Sequence, residues 1–227
     1  MDNVESNIED IFEILNIWMK FPNYQLERRA DIYFAKYLPV IMKECDFIGE
    51  ECIKREHIIP EFPLKHYDSN RSNKVDYAVF GEKALYFIEL KTTMDYIKDI
   101  KITYLIDAKK DVEQEGVAKL IDDIRTIKNN SGQKEKYQHL LDHIEKHRLV
   151  ERVTDKDVVF VFILPLSIEY AKLEMGENKE SFKDIEFITF EKIIKCIPDK
   201  DDQLAKQFCA SLGEWEKVEK DKLAKKD

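Results

Sequence analysis

Asp76, Glu89 and Lys91 are the residues of this chain whose types and spacing point most directly to chemistry. They lie in KVDYAVFGEKALYFIELKTT, positions 74–93, a stretch otherwise apolar enough to form a hairpin buried on both sides. Two carboxylates can share a divalent cation through oxygen ligands, and an amine beside them can stabilise or orient an anion. Whether the three meet depends on the turn. Gly81 suggests a two-residue loop at Gly81-Glu82, which pairs Phe80 with Lys83. In that register Asp76 sits opposite Phe87, and Glu89 sits opposite Lys74. Alternation then puts Val75, Tyr77, Val79, Ala84, Tyr86, Ile88 and Leu90 on one wholly apolar face. Asp76, Glu89 and Lys91 gather on the other face, at the end away from the turn. Asp76 and Glu89 are diagonal neighbours there, with Cα atoms ~7–8 Å apart. An odd loop would send the two acids to opposite faces. The plain structural alternative is an ion-pair cluster at the hairpin's mouth, which Lys74 would strengthen by pairing with Glu89. A buried ion pair is weak ground for stability, so the chemical reading is preferred.

This layout resembles the PD-(D/E)xK nuclease superfamily, whose signature is an acid on one strand and (D/E)-x-K on the next. Asp76 and Glu89-Leu90-Lys91 match it, with Val75 in place of the proline. The resemblance covers roughly residues 24–165. It implies an α/β fold with a restriction endonuclease-like αβββαβ core, a mixed central sheet flanked by helices, and extra N- and C-terminal helices. It implies that Asp76 and Glu89 hold magnesium or manganese, with the Leu90 carbonyl as a further ligand. Lys91 would position or activate the attacking water, and Glu27 matches the glutamate that many members carry on the preceding helix. Gln114 is a candidate for the glutamine or tyrosine that many relatives place on the following helix. The implied reaction is phosphodiester hydrolysis, with nucleic acid, foremost DNA, as partner. Arg71, Lys74, Lys98 and Lys101 are candidates for holding phosphates. A homodimer is also expected, since relatives often act as dimers. The triplet alone is weak: Asp99-Ile-Lys101, Asp107-Ala-Lys109 and Glu177-Asn-Lys179 share it. None of these lies in an apolar strand that follows a strand carrying a partner acid.

The elements that must position these residues can be read from pattern. Residues 3–20 have helical spacing at Ile8, Ile11, Phe12, Leu15 and Met19. Pro22-Asn23 breaks the chain, and Asn23 can cap a helix over 24–38 with Leu26, Ala30, Tyr33, Phe34 and Tyr37 inward. A strand is expected in 55–64, at an edge or irregular because of Pro60 and Pro63. A polar loop at 65–73 leads to the hairpin, and the segment from 92 to 110 has no clear pattern. Helices are expected over 112–128 and 135–150, separated by Asn-Asn-Ser-Gly at 129–132. DVVFVFILPL, 157–166, reads as a strand covered on both faces. A further strand falls at 184–190. An amphipathic helix follows over about 200–220, with Leu204, Phe208, Leu212 and Trp215 on one face. The tail from 216 is expected to be solvated and frayed. No composition shift marks a second domain within 1–227.

Composition narrows the function classes. With 44% hydrophobic residues the chain can bury a sizeable core, which excludes wholesale disorder. The net charge of −9 argues against coating DNA electrostatically and keeps open a second class, a catalytically silent binding or assembly module with protein partners on acidic helices. Four scattered cysteines without a CxxC pair make a disulfide scaffold or a thiolate zinc site a poor fit. An acidic N-terminus and short apolar runs suggest neither a signal peptide nor a membrane partner, so a cytoplasmic setting is expected. His139, His143 and His147 share a helix face, and adjacent pairs have zinc-chelating spacing. Their place beside the stripe Leu140, Leu141, Ile144 and Leu149 suggests solvated histidines instead. Phosphate-loop, serine-hydrolase, HExxH and dinucleotide fingerprints are absent from the sequence.

Overall fold

The second strand of the hairpin is buried along its whole length, and the rest of the molecule is arranged around it. A computed structural model describes residues 2–49, 51–65, 72–94, 103–155, 157–167, 169, 185–197 and 202–225. Among these residues the strands are β1 (Ile58–Lys65), β2 (Ser72–Phe80), β3 (Ala84–Leu90), β4 (Asp157–Leu164) and β5 (Ile185–Thr189). They form one open five-stranded sheet in that order. β2 pairs antiparallel with both β1 and β3, while β4 and β5 continue parallel to β3. The fold is therefore α/β, a mixed sheet flanked by helices.

Each face of the sheet carries its own apolar layer. Tyr77, Val79, Tyr86, Ile88 and Leu90 pack against α1 (Asp2–Trp18), α2 (Leu26–Glu44), α7 (Phe190–Cys196) and α8 (Gln203–Leu223). Ala78, Phe80, Leu85 and Phe87 pack against α3 (Thr103–Glu115), α4 (Ala118–Asn130), α5 (Lys134–Lys146) and α6 (Leu149–Arg152). Aromatic rings fill the second layer, where Phe87 stacks on Phe160 and meets Phe62 at a tilt. Burial on both sides is why β3 and β4 read as nearly continuous apolar runs.

Several elements differ from the sequence expectation for local reasons. The region expected as one helix over 112–128 is two, because Gly116 takes a left-handed φ of +83° that ends α3. The region expected as 135–150 breaks at Arg148, also left-handed. α7 follows β5 directly, its first turn capped by Thr189 Oγ1 accepting from the Lys192 amide. Ile11 lies off the buried stripe of α1 and is 47% exposed, while Phe12 and Leu15 are buried. α8 runs to Leu223 instead of fraying from 216. β1 is an edge strand, as its two prolines require. None of the four cysteines forms a disulfide; Cys45 and Cys196 lie 3.6 Å apart between sulfurs in the core, where burial pushes the Cys45 thiol up to about 12. Among the described residues no helix is long and apolar enough to cross a membrane.

The hairpin turn is longer than two residues. Phe80 pairs with Leu85, not with Lys83, so the register is displaced by two from the expected one. Long-range partners explain the wider loop. Glu51 Oε1 accepts from the Glu82 amide at 2.8 Å, Arg152 donates to the Phe80 carbonyl at 2.9 Å, and Thr154 donates to the Glu82 carbonyl. The loop remains even, so the side-chain parity of the hairpin survives. Gly81 is needed within it: a Cβ there would lie 2.8 Å from the Tyr86 ring and 2.9 Å from the Ala84 carbonyl oxygen. Gly81→Ala is expected to lose about 1–3 kcal/mol by overpacking. Urea unfolding should show a lower midpoint at unchanged slope; an unchanged midpoint would contradict this packing.

Candidate active site

The ladder between β2 and β3 ends at Tyr77 and Ile88. One step further along this register brings Asp76 across from Glu89, directly and not diagonally as expected. Beyond that point β3 keeps its pairing with β4 as far as Leu90 and Ile163, and β2 follows β1. The two hairpin strands thus part at Asp76, whose carboxylate Oδ2 accepts from the Leu90 amide at 2.7 Å. A side chain there takes the place of a ladder acceptor.

The β1–β2 ribbon also rolls over at this position. Ile59 and Phe62 differ in parity, yet both face the second apolar layer, together with their partners Ala78 and Val75. Val75 therefore leaves the face of Tyr77 and Val79 on which alternation alone would put it. Glu61, between Pro60 and Phe62, supplies the irregularity with a left-handed φ of 50°. Lys74 pairs with Glu61 at 2.6 Å, not with Glu89. The expected cross-strand neutralisation of Glu89 by Lys74 is thereby replaced.

Lys91 is the meeting point. Its Nζ lies 3.3 Å from Glu89 Oε2, 3.4 Å from Glu27 Oε1 and 3.8 Å from Asp76 Oδ2. It also donates to the Leu90 carbonyl at 2.9 Å, so that oxygen faces the ammonium in this arrangement. Glu27 comes from the first turn of α2. That helix is tied over β2 by the Tyr77 hydroxyl, which donates to the Asp31 carbonyl at 2.7 Å, one turn beyond Glu27. Four residues therefore converge, one from within β2, two from the end of β3 and just beyond it, and one from a helix.

Burial and crowding set their charge states. Glu89 is 6% exposed, and burial, with the neighbouring Asp76 carboxylate, pushes its carboxyl up to about 7 despite Lys91. Burial likewise raises Asp76 and Glu27 against the pull of Lys91. Burial alone would lower Lys91, but Glu89, Asp76 and Glu27 outweigh it and hold its pKa above the ordinary lysine value. Lys91 is thus a firm cation, and the carboxylates exceed what one ammonium balances.

Sequence reasoning missed two residues. Tyr104, at the start of α3, donates to Glu89 Oε1 at 2.6 Å, and its own pKa is raised by burial. Gln114, the expected polar residue of this helix, is exposed near its other end. The signal was present as the stripe Leu105, Ala108 and Val112 with Tyr104 at its margin. Arg28 lines the cleft above Asp76, about 350 Å³ in volume, together with Lys74 and Glu61. Arg71, Lys98 and Lys101 lie outside the described residues. Of the three histidines, His143 and His147 have ring centroids 4.5 Å apart, and His139 stands off from them. His139 is exposed, while His143 Nε2 is 2.9 Å from the Glu56 carbonyl and so is not merely solvated. Among the described residues no group of three or more His, Cys, Asp or Glu side chains is already disposed to hold a metal.

Comparisons with protein-family models, with curated proteins and with solved structures each return no match to this chain.

Proposed function

We propose that the protein is a divalent-metal-dependent nuclease that hydrolyses phosphodiester bonds of DNA at the cluster of Asp76, Glu89, Lys91 and Glu27, of which Asp76 and Glu27 line the cleft. One observation carries this reading: three carboxylates converge on one half-buried ammonium at the point where two strands part, leaving an excess of negative charge. The order helix, three antiparallel strands, helices and a strand parallel to the third agrees with the nuclease resemblance. The donor set is hard carboxylate oxygen, which suits magnesium or manganese. Asp76 and Glu89, aided by Glu27, would hold the ion, which when bound polarises a phosphoryl oxygen and acidifies water. Lys91, kept cationic by its neighbours, would stabilise charge developing on the phosphoryl group. Arg28 and Lys74 at the cleft would meet the flanking phosphates.

A second reading has its own support. Lys91 already engages all three acids and the Leu90 carbonyl, an arrangement that also suits a catalytically silent binding or assembly module. Cleavage assays in magnesium or manganese on wild type, Asp76→Ala and Lys91→Ala separate the two. The nuclease reading expects wild-type cleavage and a loss of at least about 100-fold in each variant. Cleavage surviving both substitutions would sink the site. An inert wild type that binds no metal in calorimetric titration would favour the silent module.

A further inference from the structure

A second hollow, of about 490 Å³, lies between β1 and α5. Pro60, Pro63 and Tyr137 are part of its wall, and Lys74, Lys136 and His139 also line it. Pro60, Glu61 and Lys74 line both this hollow and the cleft holding Asp76 and Glu27. The hollow therefore adjoins that cleft, as a groove along the edge of the sheet. No strand is paired on that side of β1 among the described residues, and two prolines blunt the edge against one.

This hollow is far less acidic than the chain as a whole. The chain carries −9 overall, yet the hollow's lining includes two lysines and a single carboxylate, Glu61, which Lys74 already pairs. A polyanion meets less repulsion here than the net charge of the chain would impose. Few cations are present, and a duplex held by its two backbones would require a broader basic surface. A single strand needs less: a cationic groove beside aromatic faces on which bases stack. Tyr137 is half-buried and so leaves part of its surface accessible in the hollow, while Lys136 beside it is exposed.

We propose that this groove seats the single-stranded DNA adjoining the scissile phosphate, with Tyr137 as the stacking platform and Lys74 and Lys136 on the phosphates. This rests on the nuclease reading, and it makes the enzyme selective for single strands. Fluorescence anisotropy in EDTA, where metal-dependent cleavage is off, tests it with a labelled single strand and with its duplex. The single strand should bind more tightly, and Tyr137→Ala should weaken it about tenfold, the size of one lost base stack. Tyr137→Phe should retain binding, which separates loss of the ring from a folding defect, and the exposed Lys136→Glu should weaken it as well. Turnover of the small diester bis-p-nitrophenyl phosphate with manganese should be the same in the Tyr137 and Lys136 variants as in wild type. Equal single-strand affinity in wild type, Tyr137→Ala and Lys136→Glu, or a preference for duplex, would overturn the groove assignment. In that case turnover of the small diester would leave the nuclease reading intact. Tyr137-dependent binding without turnover of any diester would support the groove and defeat the nuclease reading instead.

Discussion

Glu89→Gln is expected to stabilise the fold by about 3 kcal/mol near pH 8, because each unit of pKa displacement is worth ~1.36 kcal/mol. Burial and the Asp76 carboxylate raise Glu89 from an ordinary 4.5 to about 7. The sign follows from proton linkage. A carboxyl whose folded pKa lies above its unfolded value binds the proton more tightly in the folded state, so stability is full below about 4.5 and declines as pH rises through about 7. Glutamine keeps the shape without that charge. Asp76 and Glu27, both raised by burial, act in the same direction. Lys91, raised above the ordinary lysine range, gives up its contribution only at higher pH. Urea unfolding of wild type and Glu89→Gln across this range should therefore show curves that converge at the acid end and diverge toward pH 8. Parallel curves would contradict the assigned charge states. On the proposed nuclease reading, the gain in stability should accompany a loss of cleavage.

Lys91→Met should have the opposite effect, a loss of about 3–5 kcal/mol near pH 8. Methionine fills much of the same space but removes the cation shared by Glu27, Asp76 and Glu89 within 4 Å. The defect should shrink toward acid pH as the carboxyls take up protons, a trend that a simple packing defect would not produce. Combining Lys91→Met with Glu89→Gln should recover part of the loss, since fewer uncompensated charges remain. Chemical denaturation of the two single variants and the double variant measures the coupling directly. Additive effects would mean that Lys91 and Glu89 do not interact as described.

What the sequence made legible follows the range of the interactions involved. The gathering of Asp76, Glu89 and Lys91 at one end of the hairpin depends on loop parity, a local property, and parity survived a change in loop length. The register itself depends on Glu51, Arg152 and Thr154, which no pattern within 74–93 could reveal. The roll of the ribbon at Asp76 depends on the left-handed conformation of Glu61, a residue type that rarely adopts it. β4 was readable because an apolar run covered on both faces has few alternatives. Tyr104 was not, because the segment before it has no periodicity and the helix begins earlier than its clearest pattern. The charged run after Trp215 suggested solvation, yet Glu219 within it is 2% exposed. Its partners are the nearby Lys222 ammonium and a backbone amide far away in the chain, and composition cannot anticipate the second.

That partner has a consequence for how the site comes into being. Glu219 Oε2 accepts from the Met94 amide at 2.8 Å, joining α8 to the chain three residues after Lys91, across 125 positions of sequence. β4, which flanks β3, also lies well downstream. During synthesis the acids and the lysine leave the ribosome long before the segments that hold their strand in place. The nascent chain can close its hairpin early, but the exit from β3 is clamped only when α8 docks. Assembly of the charged cluster is therefore a late event, and a growing chain does not carry a finished site.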